Sequence, residues 1–344
     1  MSTILIYSVV AIISTAIVWK GSQMLETSSE KLATHYELPD IVAGAIVVAV
    51  GSSFPELSTT VLSTLIHGEF DLGVSAIVGS ALFNILVIPA LSGLYAEDLL
   101  ESNRDLVYKE AQFYMLAVAV LLLTFSFAAI YNPVESDAGA ITGEFDRWLA
   151  VLPLGMYGLY LFVQWQDTMD FEPDVTDEDI AVGKNWLLLL GSLLIILIGV
   201  EGLVRSAITF GEVFDTPSFL WGATVVAAGT SIPDAFVSIN SARSGNATTS
   251  LANVLGSNIF DLLVCIPAGV LIAGVAIVNY SVAAPLMGAL TVATLILFLM
   301  MRTDMHLSRL EAWGLLFVYL CFVVWATLES FAIIDTVPSL PPAP

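Results

Sequence analysis

With 344 residues, 57% of them hydrophobic and 12% charged, and a mean hydropathy of +0.88, the chain is too apolar for a water-soluble domain and reads as a polytopic helical membrane protein. Its two cysteines, Cys265 and Cys321, both fall inside apolar runs, which excludes a disulfide framework and leaves a thiolate metal site without partners, so both read as small apolar fillers. The net charge of −22 comes from 10 basic and 32 acidic residues, with many acids in connecting segments such as Asp167, Asp170, Glu172, Asp174, Asp177, Glu178 and Asp179; that stretch lacks the glycine-centred pattern of an EF-hand loop and reads as a solvated linker.

Ten apolar runs are long enough to span a bilayer, which takes about 20 residues. In chain order they cover residues 2–20 (with a continuation to 34 as one tilted helix), 40–66, 72–95, 108–131, 146–165, 184–211, 218–243, 248–275, 279–301 and 309–333. The runs are continuous rather than alternating, so they predict helices and not strands. The first has neither a basic leader nor a small-residue cleavage site and is kept as a helix.

The second half repeats the first. At an offset of 178, Gly21 meets Gly199, Ser28 meets Ser206, Pro39 meets Pro217, Gly44 meets Gly222, Gly51 meets Gly229, Ser53 meets Ser231, Pro55 meets Pro233 and Glu56 meets Asp234. After a short loop the offset becomes 177, pairing Gly79 with Gly256, Ser80 with Ser257, Phe83 with Phe260 and Asn84 with Asp261. Each half holds five spans, an odd number, so the second copy enters the membrane in the opposite sense. The expected fold is therefore all-α, with ten transmembrane helices in two inverted-topology five-helix repeats. The expected organisation is a first repeat over 1–165 (its central motif about 40–93), an acidic linker over 166–183, a second repeat over 184–335 (central motif about 218–269) and a proline-rich tail over 336–344.

Basic residues orient the chain. With the N-terminus outside, the cytoplasmic side carries Lys20, Lys31, Arg104, Lys109, Lys184, Arg243, Arg302 and Arg309, and the outer side only Arg147 and Arg205. This bias predicts a cell-membrane protein with both termini outside and the 166–183 connection cytoplasmic.

The chemistry lies in four segments. Gly51-Ser52-Ser53-Phe54-Pro55-Glu56 and Gly229-Thr230-Ser231-Ile232-Pro233-Asp234 each place a carboxylate directly after a Gly…Pro pair inside an apolar run. A carboxylate at membrane depth is a functional hypothesis by default. Gly51, Pro55, Gly229 and Pro233 are read as helix breaks that release carbonyls near Ala49 and Ala227 as ligands. The runs beginning at Gly79 and Gly256 add Ser80 with Asn84 and Ser257 with Asp261, each pair four residues apart on one helix face. Glu56, Asp234 and Asp261, the amide oxygen of Asn84, and the hydroxyls of Ser53, Ser80, Thr230, Ser231 and Ser257 form an all-oxygen set suited to hard cations such as Ca2+ or Na+. Buried negative charges must bind cations or protonate. Two ions competing for one charge-limited site is the minimal physics of an exchanger.

At these residues the chain resembles the Ca2+/cation antiporter superfamily, in its Na+/Ca2+ exchanger branch, over effectively its whole length. The resemblance implies a secondary active antiporter, not an enzyme, with Glu56 and Asp234 as central Ca2+/Na+ ligands. It also implies Ser53, Ser80, Thr230, Ser231 and Ser257 as hydroxyl ligands, Ala49 and Ala227 as carbonyl donors, and Asn84 and Asp261 as a flanking polar pair. It further implies sliding of the first and sixth helices across a fixed core. Many microbial members carry Glu in both repeats, whereas Asp234 with Asp261 downstream is closer to the K+-dependent exchangers; K+ coupling is left open. No cofactor is expected, only Ca2+ and Na+ as transported ions; the expected surroundings are membrane lipid, without nucleic acid or an obligate protein partner. The alternatives are an antiporter of the same fold driven by H+ or carrying Mg2+ or Mn2+, and, from another class, an intramembrane aspartyl protease using Asp234 and Asp261.

Overall fold

A computed structural model describes residues 2–36, 49–96, 100–101, 109–135, 140–167, 181–303, 305–334 and 336–337. Most of the 166–183 connection, the 338–344 tail, Arg104 and the repeat matches at Pro39 and Gly44 lie outside them.

Helix α1 runs unbroken over Ser2–His35. At 1.5 Å per residue it is about 51 Å long, well beyond a ~30 Å hydrocarbon core, so it must tilt or project. The second span is described from residue 49 onward and is in two pieces, α2 (Ala49–Ser52) and α3 (Phe54–Leu65), broken at Ser53. Next come α4 (Phe70–Tyr95), α5 (Ala111–Tyr131), α6 (Arg147–Asp167) and α7 (Val182–Phe214). The seventh span comprises α8 (Ser218–Trp221), a π-helical turn over Gly222–Val226, and α9 (Ala227–Arg243). The eighth comprises α10 (Ala247–Phe260), a second π-turn over Asp261–Cys265, and α11 (Ile266–Ala273). Two further spans, α12 (Tyr280–Arg302) and α13 (Arg309–Ser330), complete the bundle. Among the described residues nine helical stretches are long and apolar enough to cross a membrane, and the divided second span is the tenth.

Among the described residues the spans are helical, as the continuous apolar runs predict, and five short strands occur in the connections. β1 (Leu100–Glu101) pairs antiparallel with β5 (His306–Leu307), while β3 (Thr142–Asp146) lies between β2 (Pro133–Val134) and β4 (Val275–Asn279), antiparallel to both. Alternating short segments such as Thr142–Asp146 fall below the length of a spanning run, which is why the sequence reading passed over them.

Two apolar clusters organise the packing. The larger is centred on α4, whose Ile77, Leu82, Ile85, Leu86 and Ile88 have 0–1% exposure, with contributions from α5 and α10–α13. A second is built mainly from Val18 and Leu25 of α1 and Ile196, Val200, Leu203 and Val204 of α7. Outward, α1 exposes Leu5, Ile6, Val9, Ile12 and Ile13, and α7 exposes Leu187, Leu190, Leu194 and Ile198. This apolar exposure suits contact with lipid chains rather than water.

The α1–α7 contact carries the internal symmetry. A Cβ on Gly21 would meet Ile196 at 2.6 Å, and one on Gly199 would meet Val18 at 2.8 Å; Val18 and Ile196 are themselves equivalent at the offset of 178. Each repeat therefore offers the same glycine to the same branched residue of the other, the signature of a twofold relation between halves. Close approach of this kind, through small residues, is how membrane helices gain packing contact. Toward one end, Glu201 of α7 joins its helical neighbour Arg205 (2.6 Å) and His67, in the turn after α3 (3.1 Å).

A close backbone approach joins α4 to the first π-turn. A Cβ on Gly79 would lie 2.3 Å from the Ala223 carbonyl oxygen and 2.6 Å from its Cα. Gly79→Val should therefore force the two backbones apart, at a cost of at least the ~1–3 kcal/mol typical of overpacking. The expected result is a lowered thermal midpoint in detergent, with Gly155→Ala, where nothing lies within 4 Å, as the unaffected control.

Candidate functional site

The site forms where α3, α4, α9 and α10 meet. Ser53 sits between α2 and α3 with φ −93° and ψ 10°, and Glu56 follows in the first turn of α3. Pro55 occupies the second position of that helix, where an amide donor has no intrahelical partner anyway, so the proline starts a helix at no hydrogen-bonding cost.

The second copy departs from expectation. Gly229 and Pro233 do not break their helix, because α9 is continuous over Ala227–Arg243 with Pro233 inside it. The irregularity lies upstream, in the π-turn at Gly222–Val226. Pro233 falls in a helix interior, where its missing donor removes a single bond to the carbonyl four residues back, which is that of Gly229 and not of Ala227. One lost bond does not end a helix whose neighbouring turns remain paired. Gly229 instead serves close packing: a Cβ there would meet Leu203 of α7 at 2.9 Å and Thr15 of α1 at 3.0 Å. Ala49 opens α2, and the Ala227 carbonyl accepts a hydrogen bond from the Thr230 hydroxyl at 3.3 Å.

All three carboxylates are buried, Glu56 at 2%, Asp234 at 3% and Asp261 at 0% exposure. Among the described residues none of them is paired with a basic side chain. Ser80 donates to Glu56 Oε1 at 3.4 Å and lies 2.7 Å from the Ser231 hydroxyl, a chain linking α3 through α4 to α9. Thr230 also approaches Glu56, Asn84 approaches Asp234, and Ser53 approaches Asp261. The Ser257 hydroxyl donates to the Val254 carbonyl of its own helix at 3.1 Å, which leaves its lone pairs free to accept.

The unsatisfied atoms are concentrated here. Among the described residues nine buried side-chain oxygens lack a partner, and five of them belong to this group: Ser53 Oγ, Glu56 Oε2, Asn84 Oδ1, Asp234 Oδ2 and Asp261 Oδ2. Buried oxygens are nearly always bonded, so this concentration of unpartnered oxygens is unusual, and its chemistry is compatible with cations. No three Asp, Glu, His or Cys side chains among the described residues converge into one compact metal cage. The acids are spaced apart with hydroxyls and amides between them, which suits hard ions bound through mixed neutral and charged oxygens.

Two groups here escaped the sequence reading. Asn258 is fully buried; its Oδ1 accepts from Asn84 Nδ2 at 3.0 Å, and its Nδ2 donates to the Ala81 carbonyl at 3.2 Å and the Tyr114 hydroxyl at 3.4 Å. It stands opposite Ala81 in the repeat alignment, so matching the two halves gave it no weight. Cys265, read as a filler, donates its S–H to Asp261 Oδ1 at 3.6 Å; its spacing of four from Asp261 was the available signal. Cys321, by contrast, is exposed.

The family profile for the sodium/calcium exchanger protein matches residues 6–166 and 184–328. An uncharacterised membrane protein of Methanocaldococcus jannaschii is 27% identical over 318 residues, covering 91% of this chain and 95% of that one. Sodium/calcium exchanger MaX1 of Methanosarcina acetivorans is 24% identical over 335 residues, covering 89% and 94%. Sodium/potassium/calcium exchanger 4 of Mus musculus is 43% identical over 137 residues, 40% of this chain and 19% of that protein. Among solved structures, the sodium-calcium exchanger NCX_Mj soaked with Na+ and Sr2+ superposes with a TM-score of 0.61 at 23% identity, covering 93% of this chain and 99% of that one, which establishes a shared fold.

Asn258→Ala should remove the acceptor of the buried Asn84 amide and the donor to the Ala81 carbonyl and the Tyr114 hydroxyl. The expected loss is about 1–3 kcal/mol, read as a lower thermal midpoint in detergent.

Proposed function

Since this chain belongs to the sodium/calcium exchanger protein family, we propose that it is a secondary active antiporter exchanging Na+ for Ca2+ through one central carboxylate site that serves both ions in alternation. The observation that carries this reading is the set of three buried carboxylates with no basic partner among the described residues, each with an oxygen left unbonded. Glu56 and Asp234 act as the shared central ligands. The hydroxyls of Ser53, Ser80, Thr230, Ser231 and Ser257 and the carbonyls of Ala49 and Ala227 complete the coordination, and Asn84 and Asp261 flank it. Ca2+ takes 6–8 oxygens in flexible geometry, and an array of hydroxyls and carboxylates drawn from separate helices supplies them without a rigid cage.

Exchange follows from charge. One Ca2+ or several Na+ neutralise the same carboxylates, so each displaces the other. Access alternates by movement of α1 and α7, which build an apolar seam chiefly with each other, against the rest of the bundle. The positive-inside bias supports a cell-membrane location with both termini outside and the 166–183 connection cytoplasmic.

The test is Ca2+ uptake into proteoliposomes preloaded with Na+ and diluted into Na+-free buffer. Glu56→Gln and Asp234→Asn should each reduce uptake to background while the protein still inserts and elutes as a folded species; retained exchange in either variant refutes the assignment. Adding K+ beside the Ca2+ reads K+ coupling, and a requirement for K+ that disappears in Asp261→Asn would give Asp261 that role.

A further inference from the structure

Cys265 is fully buried, and its Sγ lies 3.6 Å from Asp261 Oδ1 and 3.9 Å from the Ser53 carbonyl oxygen. One feature points beyond an S–H hydrogen bond: Asp261 Oδ2 and Ser53 Oγ, on the same two residues that the sulfur touches, are both buried and both without a partner. Thiol, carboxylate and the Ser53 backbone oxygen meet at the junction of α3 with the second π-turn. The π-turn creates this arrangement, since it begins at Asp261 and ends at Cys265.

The sulfur-to-oxygen separation is informative. A tetrahedral cation with metal–sulfur bonds of about 2.3 Å and metal–oxygen bonds of about 2.1 Å holds its sulfur and oxygen ligands about 3.6 Å apart. That is the distance present. We propose that Cys265, Asp261 and Ser53 form a second, mixed sulfur–oxygen site for a thiophilic divalent cation of the Zn2+ or Cd2+ type, beside the all-oxygen site. Soft thiolate ligands select such ions over Ca2+ and Na+. On binding, the Cys265 S–H bond breaks, an S–metal bond forms and the proton leaves to water; a water completes the coordination. Because the cation reaches Asp261 by the path used for transport, the site rests on the functional reading for its access, and an ion held there would block exchange by occupying a carboxylate of the central array.

The chain has only two cysteines, so Cys321→Ser leaves Cys265 as the sole thiol without touching the site. Adding Cd2+ to this full-length variant in detergent should produce the ultraviolet charge-transfer band of a cadmium thiolate. Introducing Asp261→Asn into the same background should raise the Cd2+ needed for half-formation by about tenfold or more, the scale on which lost ligand support weakens metal sites. Absence of the band in Cys321→Ser, or a Cd2+ requirement unchanged by Asp261→Asn, overturns the proposal. A band in a protein that fails to exchange Ca2+ would refute the proposed function and leave this site standing, whereas exchange without the band removes this site alone.

Discussion

The arrangement depends on negative charge held where water is scarce and no basic side chain answers it. Glu56, Asp234 and Asp261 are each at most 3% exposed, and stripping a carboxylate of its hydration costs several kcal/mol even after the protein relaxes. A lysine or arginine among them would have removed that cost and also the affinity for cargo. Among the described residues, neutral polar groups such as Ser80, Ser231, Asn84 and Asn258 stand around them, orienting the acids without neutralising them. Around them α4 is buried along nearly its whole length, so the acids are positioned by a rigid apolar frame rather than by one another.

The frame is a duplication whose copies have diverged at the site itself. The reciprocal contacts of Gly21 with Ile196 and Gly199 with Val18 show how faithfully the outer helices keep the twofold relation. Nearer the carboxylates the relation loosens. The first copy breaks its helix at Ser53, whereas the second runs straight through Pro233 and places π-turns at Gly222–Val226 and Asp261–Cys265. A π-turn closes over one more residue than an α-turn and so reorients the face that follows it; such turns concentrate at functional sites. Thr230, Ser231 and Asp234 follow one, and Asp261 begins the other. The two halves thus deliver equivalent residues to a common centre by different backbone routes.

This explains which features were legible in the sequence. Span positions, the repeat and the buried acids were plain, because apolar length and in-register Gly, Ser, Pro and acidic residues are properties of single positions. The backbone route was not. Pro55 and Pro233 look alike in sequence, yet one begins a helix and the other lies within one, a difference that the residue types alone do not encode. Asn258 was hidden for a related reason: its counterpart in the first half is Ala81, and the contact between these two equivalent positions places them on the twofold axis, where one residue serves both halves. Symmetry in sequence therefore finds what the copies share and passes over what they build jointly.

The same charge argument bears on why such a site would exchange ions rather than leak them. A conformational change carries the site between the two sides only as easily as the occluded intermediate tolerates its contents. With ions bound, the carboxylates are neutralised and the intermediate resembles any other buried polar network. Without them, the intermediate must enclose unpaired negative charges or first protonate them, and its population falls by a factor of ten for each 1.4 kcal/mol of that cost. A penalty of only a few kcal/mol would make the empty transit hundreds of times rarer than the loaded one. Obligatory exchange then needs no separate gate, because the uncompensated carboxylates that attract the ions also hold back the site that has lost them.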